Sequence, residues 1–306
     1  MKHIFLPKAY LRGQFINFED ANISIATHAL HYGTASFGGI RGMVDESNPT
    51  EAVIVRLDDH IKRLADSAKY LQANFSQQQL KSVVVEFVRQ NKPTKPFYIR
   101  PLIYTSDTGI APRLHEVEKD LLMYGIEAGD YLPPGGVSVC FSSWMRQPDA
   151  SLPLRGKISG SYVTSSMAKT EAVQRGFDEA IMLNTAGKVS EASAMNIFIV
   201  RDGELITPSV DQDILEGITR KSIITMAKDL NVPVAERPVD KTELYIADEI
   251  FLCGSMARIT PVNSVEHRPM PENHPITDQL RKVLTAISQN DSQKYSSWSD
   301  IVAYDS

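Results

Sequence analysis

Four places in the 306-residue sequence carry side chains whose types and spacing could do chemistry. Lys157 stands in Arg155-Gly156-Lys157-Ile158-Ser159-Gly160-Ser161-Tyr162, at the entrance of an expected helix. The glycines and serines around it let a ligand approach the backbone closely, and an amine placed there could bind an aldehyde and carry a proton. Gly217-Ile218-Thr219 opens a second helix. Its free backbone N–H groups and positive dipole end can hold a dianion, with the Thr219 hydroxyl as one more donor. Tyr98 and Arg100 alternate on a strand and so share one face. Glu191 closes the short strand Val189-Ser190-Glu191. Taken singly, each has a plainer reading: a surface lysine, a solvated carboxylate at a strand end, and in Arg56 and Tyr162 a strand-end arginine and a helix tyrosine.

These residues need elements to position them. Leu57, Ile61, Leu64, Ala68 and Leu71 recur at three and four residues behind Asp58, the expected N-cap of a first helix. Ser76 and Gln79 read as a capping box ahead of Leu80, Val83, Val84, Phe87 and Val88. Apolar stretches at 97–105, 120–126 and 136–142 read as strands. Pro101 cannot donate to a ladder, which makes the first of them an edge strand or a bulged one. Paired prolines and glycines in Gly129-Asp130-Tyr131-Leu132-Pro133-Pro134-Gly135-Gly136 mark a linker. The expected domains are therefore 1–128 and 137–306, joined by 129–136.

Further on, a helix near 160–175 ends at Gly176, and strands follow at 178–184 and 188–192. Asn196–Arg201 and Glu204–Thr207 flank the hairpin turn Asp202-Gly203. A helix from Gly217 to Asn231, a strand at 248–253 and a helix at 276–288 complete the pattern, and the polar tail from Gln289 shows no chemistry.

The bulk properties narrow the class. A chain of 306 residues suggests two domains at about 150 residues each. A net charge of −5 argues against nucleic-acid binding, which shows a basic patch or stripe. Cys140 and Cys253 lie far apart in apolar runs and read as buried reduced thiols. Neither Cys nor His clusters at ligand spacing, so no metal is expected. The apolar start Ile4-Phe5-Leu6 falls short of the roughly 7–15-residue core of a signal peptide. No stretch reaches the roughly 18 apolar residues of a membrane span, and the expected location is cytoplasmic or an equivalent reducing space.

The run Glu191-Ala192-Ser193-Ala194-Met195-Asn196-Ile197-Phe198 resembles the signature of class IV aminotransferases, the fold-type IV pyridoxal enzymes. Leu205-x-Thr207 and Leu215-x-Gly217-Ile218-x-Arg220 continue it at the expected spacing. His28-Ala29-Leu30-His31-Tyr32-Gly33-Thr34 through Gly39-Ile40-Arg41 is similar to branched-chain aminotransferases, as are Tyr98-Ile99-Arg100-Pro101-Leu102-Ile103 and Gly254-Ser255-Met256-Ala257-Arg258-Ile259-Thr260-Pro261. The fold this implies is α/β (α+β) in two domains, a small N-terminal α+β domain and a larger β-barrel-like one. The cofactor it implies is pyridoxal 5′-phosphate, with a homodimer, or a multiple of it, completing the active site across its interface. The implied reaction moves an amine between a branched-chain L-amino acid and 2-oxoglutarate.

The resemblance also assigns roles. It puts the cofactor aldehyde on Lys157, the ring nitrogen beside Glu191 and the phenolic oxygen beside Tyr162. It gives the phosphate to Arg56, Gly217, Ile218, Thr219 and Ser255. Tyr98 and the N–H groups of Ser255, Met256 and Ala257 would meet the α-carboxylate, with Arg100 at the side-chain end and Arg41 in the same substrate set. Phe37, Tyr131 and Tyr32 reaching over from the partner subunit would form the apolar walls. Three positions depart from the usual pattern: Gly38 replaces a glutamate, Ala128 a bulky aromatic and Met195 a second glutamate. A larger or less negative pocket, and more varied substrates, are the expectation. A D-amino-acid or (R)-amine transaminase of the same fold is the alternative, and an aminodeoxychorismate lyase a more distant one.

Overall fold

The computed structural model describes residues 3–47, 49–129 and 135–304. Tyr131 and most of the expected linker lie outside the described residues. The chain forms two compact units that are not two continuous halves. The first takes Met1–Gly129 together with Gly156–Gly160 and Ala286–Ser306; the second takes Asp130–Arg155 and Ser161–Thr285. A single cut at 129–136 misses these two returns, and with them the units are of nearly equal length.

In the first unit, β1 (Lys8–Leu11), β2 (Gln14–Asn17), β3 (Ala35–Phe37), β4 (Ile40–Met43), β5 (Glu51–Val55), β6 (Phe97–Thr105) and β7 (Lys119–Glu127) share one sheet with a C-terminal strand, Ser299–Ala303. That last strand pairs antiparallel with β5, and its Val302 lies in the same core as Ile54. The tail from Gln289 is thus structural; Tyr295, Val302 and Tyr304 are buried and were its legible signal. Helices α1 (His28–Tyr32), α2 (Leu57–Lys69) and α3 (Gln77–Asn91) complete the unit. Leu57, Ile61 and Leu64 of α2 and Leu80, Val84 and Phe87 of α3 fill a core against Phe97 and Ile99 of β6.

Three local expectations are corrected here. The N-cap of α2 is Arg56, in a left-handed conformation with φ 58, and Asp58 sits in the first turn instead. The Ser76 hydroxyl accepts the Gln79 N–H at 3.5 Å, one half of the expected box. Strand β6 is neither an edge nor bulged: β7 pairs along all of it, and β4 and β3 pair on its other side. The missing N–H of Pro101 falls where that other partner breaks at Gly38-Gly39, and Gly38 N–H donates to the Pro101 carbonyl at 2.8 Å. The gap lies in the neighbour, so the proline is tolerated in a central strand.

The second unit holds a nine-stranded sheet that curls as a half-barrel. Its strands are β8 (Val137–Phe141), β9 (Glu179–Leu183), β10 (Val189–Ala192), β11 (Asn196–Arg201), β12 (Glu204–Thr207), β13 (Val234–Glu236), β14 (Glu249–Gly254), β15 (Arg258–Val265) and β16 (Arg268–Pro269). Val139, Ile181, Ile197, Ile250 and Val262 form its core. The β11–β12 turn has φ 50 at Asp202 and φ 78 at Gly203, the two left-handed residues that a two-residue hairpin needs.

Two helices act as crossovers: α4 (Tyr162–Gln174) joins the parallel neighbours β8 and β9, and α5 (Ile218–Asp229) joins β12 and β13. A parallel pair requires such a connection. The short link from β12 brings the start of α5 toward the carboxyl end of that strand, where open α/β sheets bind ligands. Tyr162 and Ile218-Thr219 stand at the starts of α4 and α5.

Candidate active site

The first unit brings together Lys157, Phe37, Tyr98, Arg41 and Arg100. The Lys157 segment is fixed by main-chain bonds: its N–H donates to the Ser67 hydroxyl at 3.0 Å, and its carbonyl accepts the Phe37 N–H at 2.9 Å. Close passage of the segment depends on Gly33, left-handed at φ 65, where a Cβ would lie 2.8 Å from Gly160 Cα. The Phe37 ring is close to two cations, with Lys157 Nζ at 4.7 Å and the Arg100 guanidinium at 4.6 Å from its centroid. Arg100 also donates to the Tyr98 hydroxyl at 3.2 Å, in keeping with their shared face of β6. Arg41 is the direct cross-strand partner of Tyr98, and directly opposed residues share a face. Gly39 is required beside them, since a Cβ there would fall 2.1 Å from the Tyr98 hydroxyl.

Arg56 is held where a strand gives way to α2. Its N–H donates to the Trp298 carbonyl at 2.6 Å, its guanidinium lies 4.5 Å over the Trp298 ring, and its Nε is paired with Asp59. A left-handed arginine is strained, and the tail that holds it is the segment whose role the sequence concealed. Tyr32 is partly exposed, with its hydroxyl donated to the Ile110 carbonyl.

The second unit holds the other set, part of it tied around Glu191 and Asn196. Glu191 is buried, not solvated: Arg146 Nη2 lies 2.7 Å from one carboxylate oxygen, Asn196 Nδ2 donates to the other at 2.7 Å, and the Leu215 N–H reaches both at 3.3 Å. Asn196 also donates to the Leu215 carbonyl at 2.9 Å. Gly217 must lack a side chain, because a Cβ would sit 2.0 Å from Asn196 Oδ1. Arg220, buried one helical turn on, donates to Pro208 O at 2.9 Å and Glu236 at 2.8 Å, and its Nε approaches the Thr207 hydroxyl at 3.3 Å. The residues of the sequence signature are therefore one hydrogen-bonded frame around the start of α5. Ser255, Met256 and Ala257 form the turn between β14 and β15, and Asn196 pairs across β11–β14 with Cys253, two residues before Ser255. Tyr162 is partly buried as the first residue of α4.

Sequence reasoning missed four contributors. Arg146 neutralises Glu191, Ser67 anchors Lys157, Trp298 holds Arg56, and His60 is buried near both Arg56 and Lys157. Ser67 and His60 lie on the apolar stripe of α2, where polar residues signal a specific use. Arg146 and Trp298 sit in segments without periodicity and left no signal. Cys140 and Cys253 are buried free thiols. Burial raises both pKa values, Cys140 to about 11. No group of metal-binding side chains occurs among the described residues, and none of their helices is long and apolar enough to cross a membrane.

The profile of the family "Amino-transferase class IV" matches residues 47–265. A Synechocystis sp. protein named probable branched-chain-amino-acid aminotransferase is 57% identical over 296 residues, 97% of either chain. The branched-chain aminotransferase of Thermoproteus uzoniensis, solved with norvaline, has a TM-score of 0.93 at 37% identity, covering 98% of this chain and 100% of that one. The branched-chain amino acid aminotransferase of Thermobaculum terrenum, solved in its PLP holo-form, has a TM-score of 0.91 at 33% identity, covering 98% and 99%. By sequence and by fold the chain belongs to the amino-transferase class IV family and, within it, to the branched-chain-amino-acid aminotransferases.

Proposed function

We propose that the two residue sets act on one pyridoxal 5′-phosphate and that the enzyme moves the amino group of a branched-chain L-amino acid to 2-oxoglutarate, giving the 2-oxo acid and L-glutamate. The donor set suits that cofactor. Lys157 offers an amine, Glu191 a buried carboxylate in a fixed frame, and Arg56 a fork for phosphate. The start of α5 is kept bare of side chain at Gly217, as an anion cradle requires. When bound, the cofactor supplies an exchangeable aldehyde and a protonated ring that draws electrons from the substrate α-carbon.

Lys157 would hold that aldehyde and later carry the proton to and from the α-carbon. Glu191 would keep the ring nitrogen protonated, and Tyr162 would donate to the phenolic oxygen. Thr219, Ile218, Gly217 and Ser255 would join Arg56 at the phosphate. Tyr98, Arg41 and the Ser255–Ala257 turn would take the α-carboxylate, with Arg100 at the far end for the second carboxylate of glutamate. Phe37 contacts both the Arg100 and the Lys157 cations. The observation that carries this reading is Lys157, on a glycine-flanked segment, with its amine against Phe37 beside the Tyr98–Arg100 pair.

The three departures bear on substrate range. The Gly38 side-chain position is filled by the Pro101 ring, with a Cβ 2.8 Å from its Cγ, and Met195 packs in the core of the second unit. What is lost is negative charge more than bulk, which favours acidic and varied acceptors. Ile25, Leu30, Tyr32 and Ile110 form an exposed apolar patch. It is cross-tied by the Tyr32–Ile110 bond and by one from His31 to the Ile25 carbonyl. We assign this patch to a second copy of the chain, making the enzyme a homodimer. Two buried thiols suit a cytoplasmic setting.

Absorbance spectra test the reaction. L-leucine should shift the cofactor band to the pyridoxamine position, and 2-oxoglutarate should restore it. A band that answers D-leucine instead would move the enzyme to the D-amino-acid or amine branch. Pyruvate release without any keto acid would make it a lyase.

A further inference from the structure

His60 is the buried polar group that this mechanism leaves unused. It projects from α2 with only 5% of its surface exposed, and its Nδ1 has no hydrogen-bond partner. Buried polar atoms are paired in the great majority of cases, so an exception calls for a reason. Among the described residues, the charged groups that act on its proton are Arg63 on the same helix, Lys157 on the segment that Ser67 anchors, and Arg56 at its N-cap. Burial first, then these charges, keep the imidazole neutral. The His60 backbone N–H donates to the Arg56 carbonyl at 3.1 Å, which fixes its spacing from the arginine main chain. Asp59, a carboxylate beside this group, is half-exposed and is engaged by Arg56.

A cation cluster around a neutral imidazole changes character when a dianion arrives. Two negative charges beside Arg56 offset the cationic part of what opposes a proton on His60, while burial, the larger part, stays. We propose that His60 is coupled to the anion site: phosphate beside Arg56 makes its imidazole a better proton acceptor, and loss of phosphate reverses this. This rests on the phosphate role given above to Arg56. The coupling makes the proton affinity of this buried group respond to whether the anion site is empty or filled. It makes His60 a positioning residue for the phosphate rather than a group that touches the reacting atoms.

The test is nitrogen-15 spectroscopy of full-length, cofactor-free protein labelled at histidine and arginine, titrated over pH with and without inorganic phosphate. The His60 resonance is assigned by its loss in His60→Gln or, if that variant does not fold, His60→Asn. Its ionisation midpoint should rise by about one pH unit or more with phosphate, and Arg56→Gln should abolish the rise. Phosphate that perturbs the Arg56 side chain while His60 stays neutral at an unchanged midpoint would overturn the coupling and leave the anion site standing. Phosphate that perturbs neither would remove the anion site, and the coupling with it.

Discussion

Glu191 and Lys157, the two residues on which the proposed chemistry turns, are fixed in opposite ways. Glu191 is held at its carboxylate, by Arg146, Asn196 and the Leu215 N–H, inside a frame that continues to Gly217. Lys157 is held at its main chain, by Ser67 and Phe37, while its amine rests against an aromatic face. A group that must keep one charge state gains from a rigid polar frame. One that must bind, release and carry a proton gains from a fixed backbone and an adaptable end. The contrast also separates what holds the fold from what performs the chemistry: cutting the Lys157 side chain leaves its anchoring bonds in place, whereas touching the Glu191 frame disturbs both.

Predictions follow that contrast from large effects to small. Lys157→Ala should lose about 10⁴-fold or more in transamination rate with an unchanged melting temperature; a large fall in stability would break the contrast. Arg146→Met should do the reverse, destabilising by about 3–5 kcal/mol because it leaves the Glu191 carboxylate buried without its cation. Denaturant titration reads this, and a neutral result would mean that Glu191 does not need its partner. Gly217→Ala forces a Cβ against Asn196 Oδ1. It should cost about 1–3 kcal/mol together with weaker cofactor retention, measured by equilibrium dialysis.

Ser67→Ala removes the acceptor of the Lys157 N–H and should cost about 1 kcal/mol, with a rate loss that a stability assay alone does not show. His60 extends the comparison to pH in the cofactor-free chain. Its pKa is lowered on folding, so the unfolded chain binds a proton that the native chain refuses. The stability this represents is whole above the ordinary histidine pKa and is lost as pH falls through the native value. His60→Gln should flatten that acid limb, and superimposable profiles would exclude it.

Much of the second unit was legible because its pattern is local. The Asp202-Gly203 turn, the glycine ahead of α5 and the strand from 249 announce themselves within a few residues. The first unit was harder to read because its constraints are long-range. Pro101 looked like an edge signal, yet the gap it needs lies far back in the chain at Gly38-Gly39. The strand 299–303 and Trp298 close on β5 and Arg56 from the far end of the chain. Arg56 as N-cap could not be foreseen, since Asp58 is the better cap by type and the left-handed turn is imposed by the Trp298 contact. Lys157 and Glu191 are proposed from motifs, whereas Arg146, Ser67 and His60 come to notice only in the fold.

The most direct test of the central assignment is peptide mass analysis of the holoenzyme after borohydride reduction. The account predicts the reduced cofactor on the peptide that carries Lys157, and no label in Lys157→Ala. A label on another lysine, or none on a protein that retains its cofactor band, would contradict it.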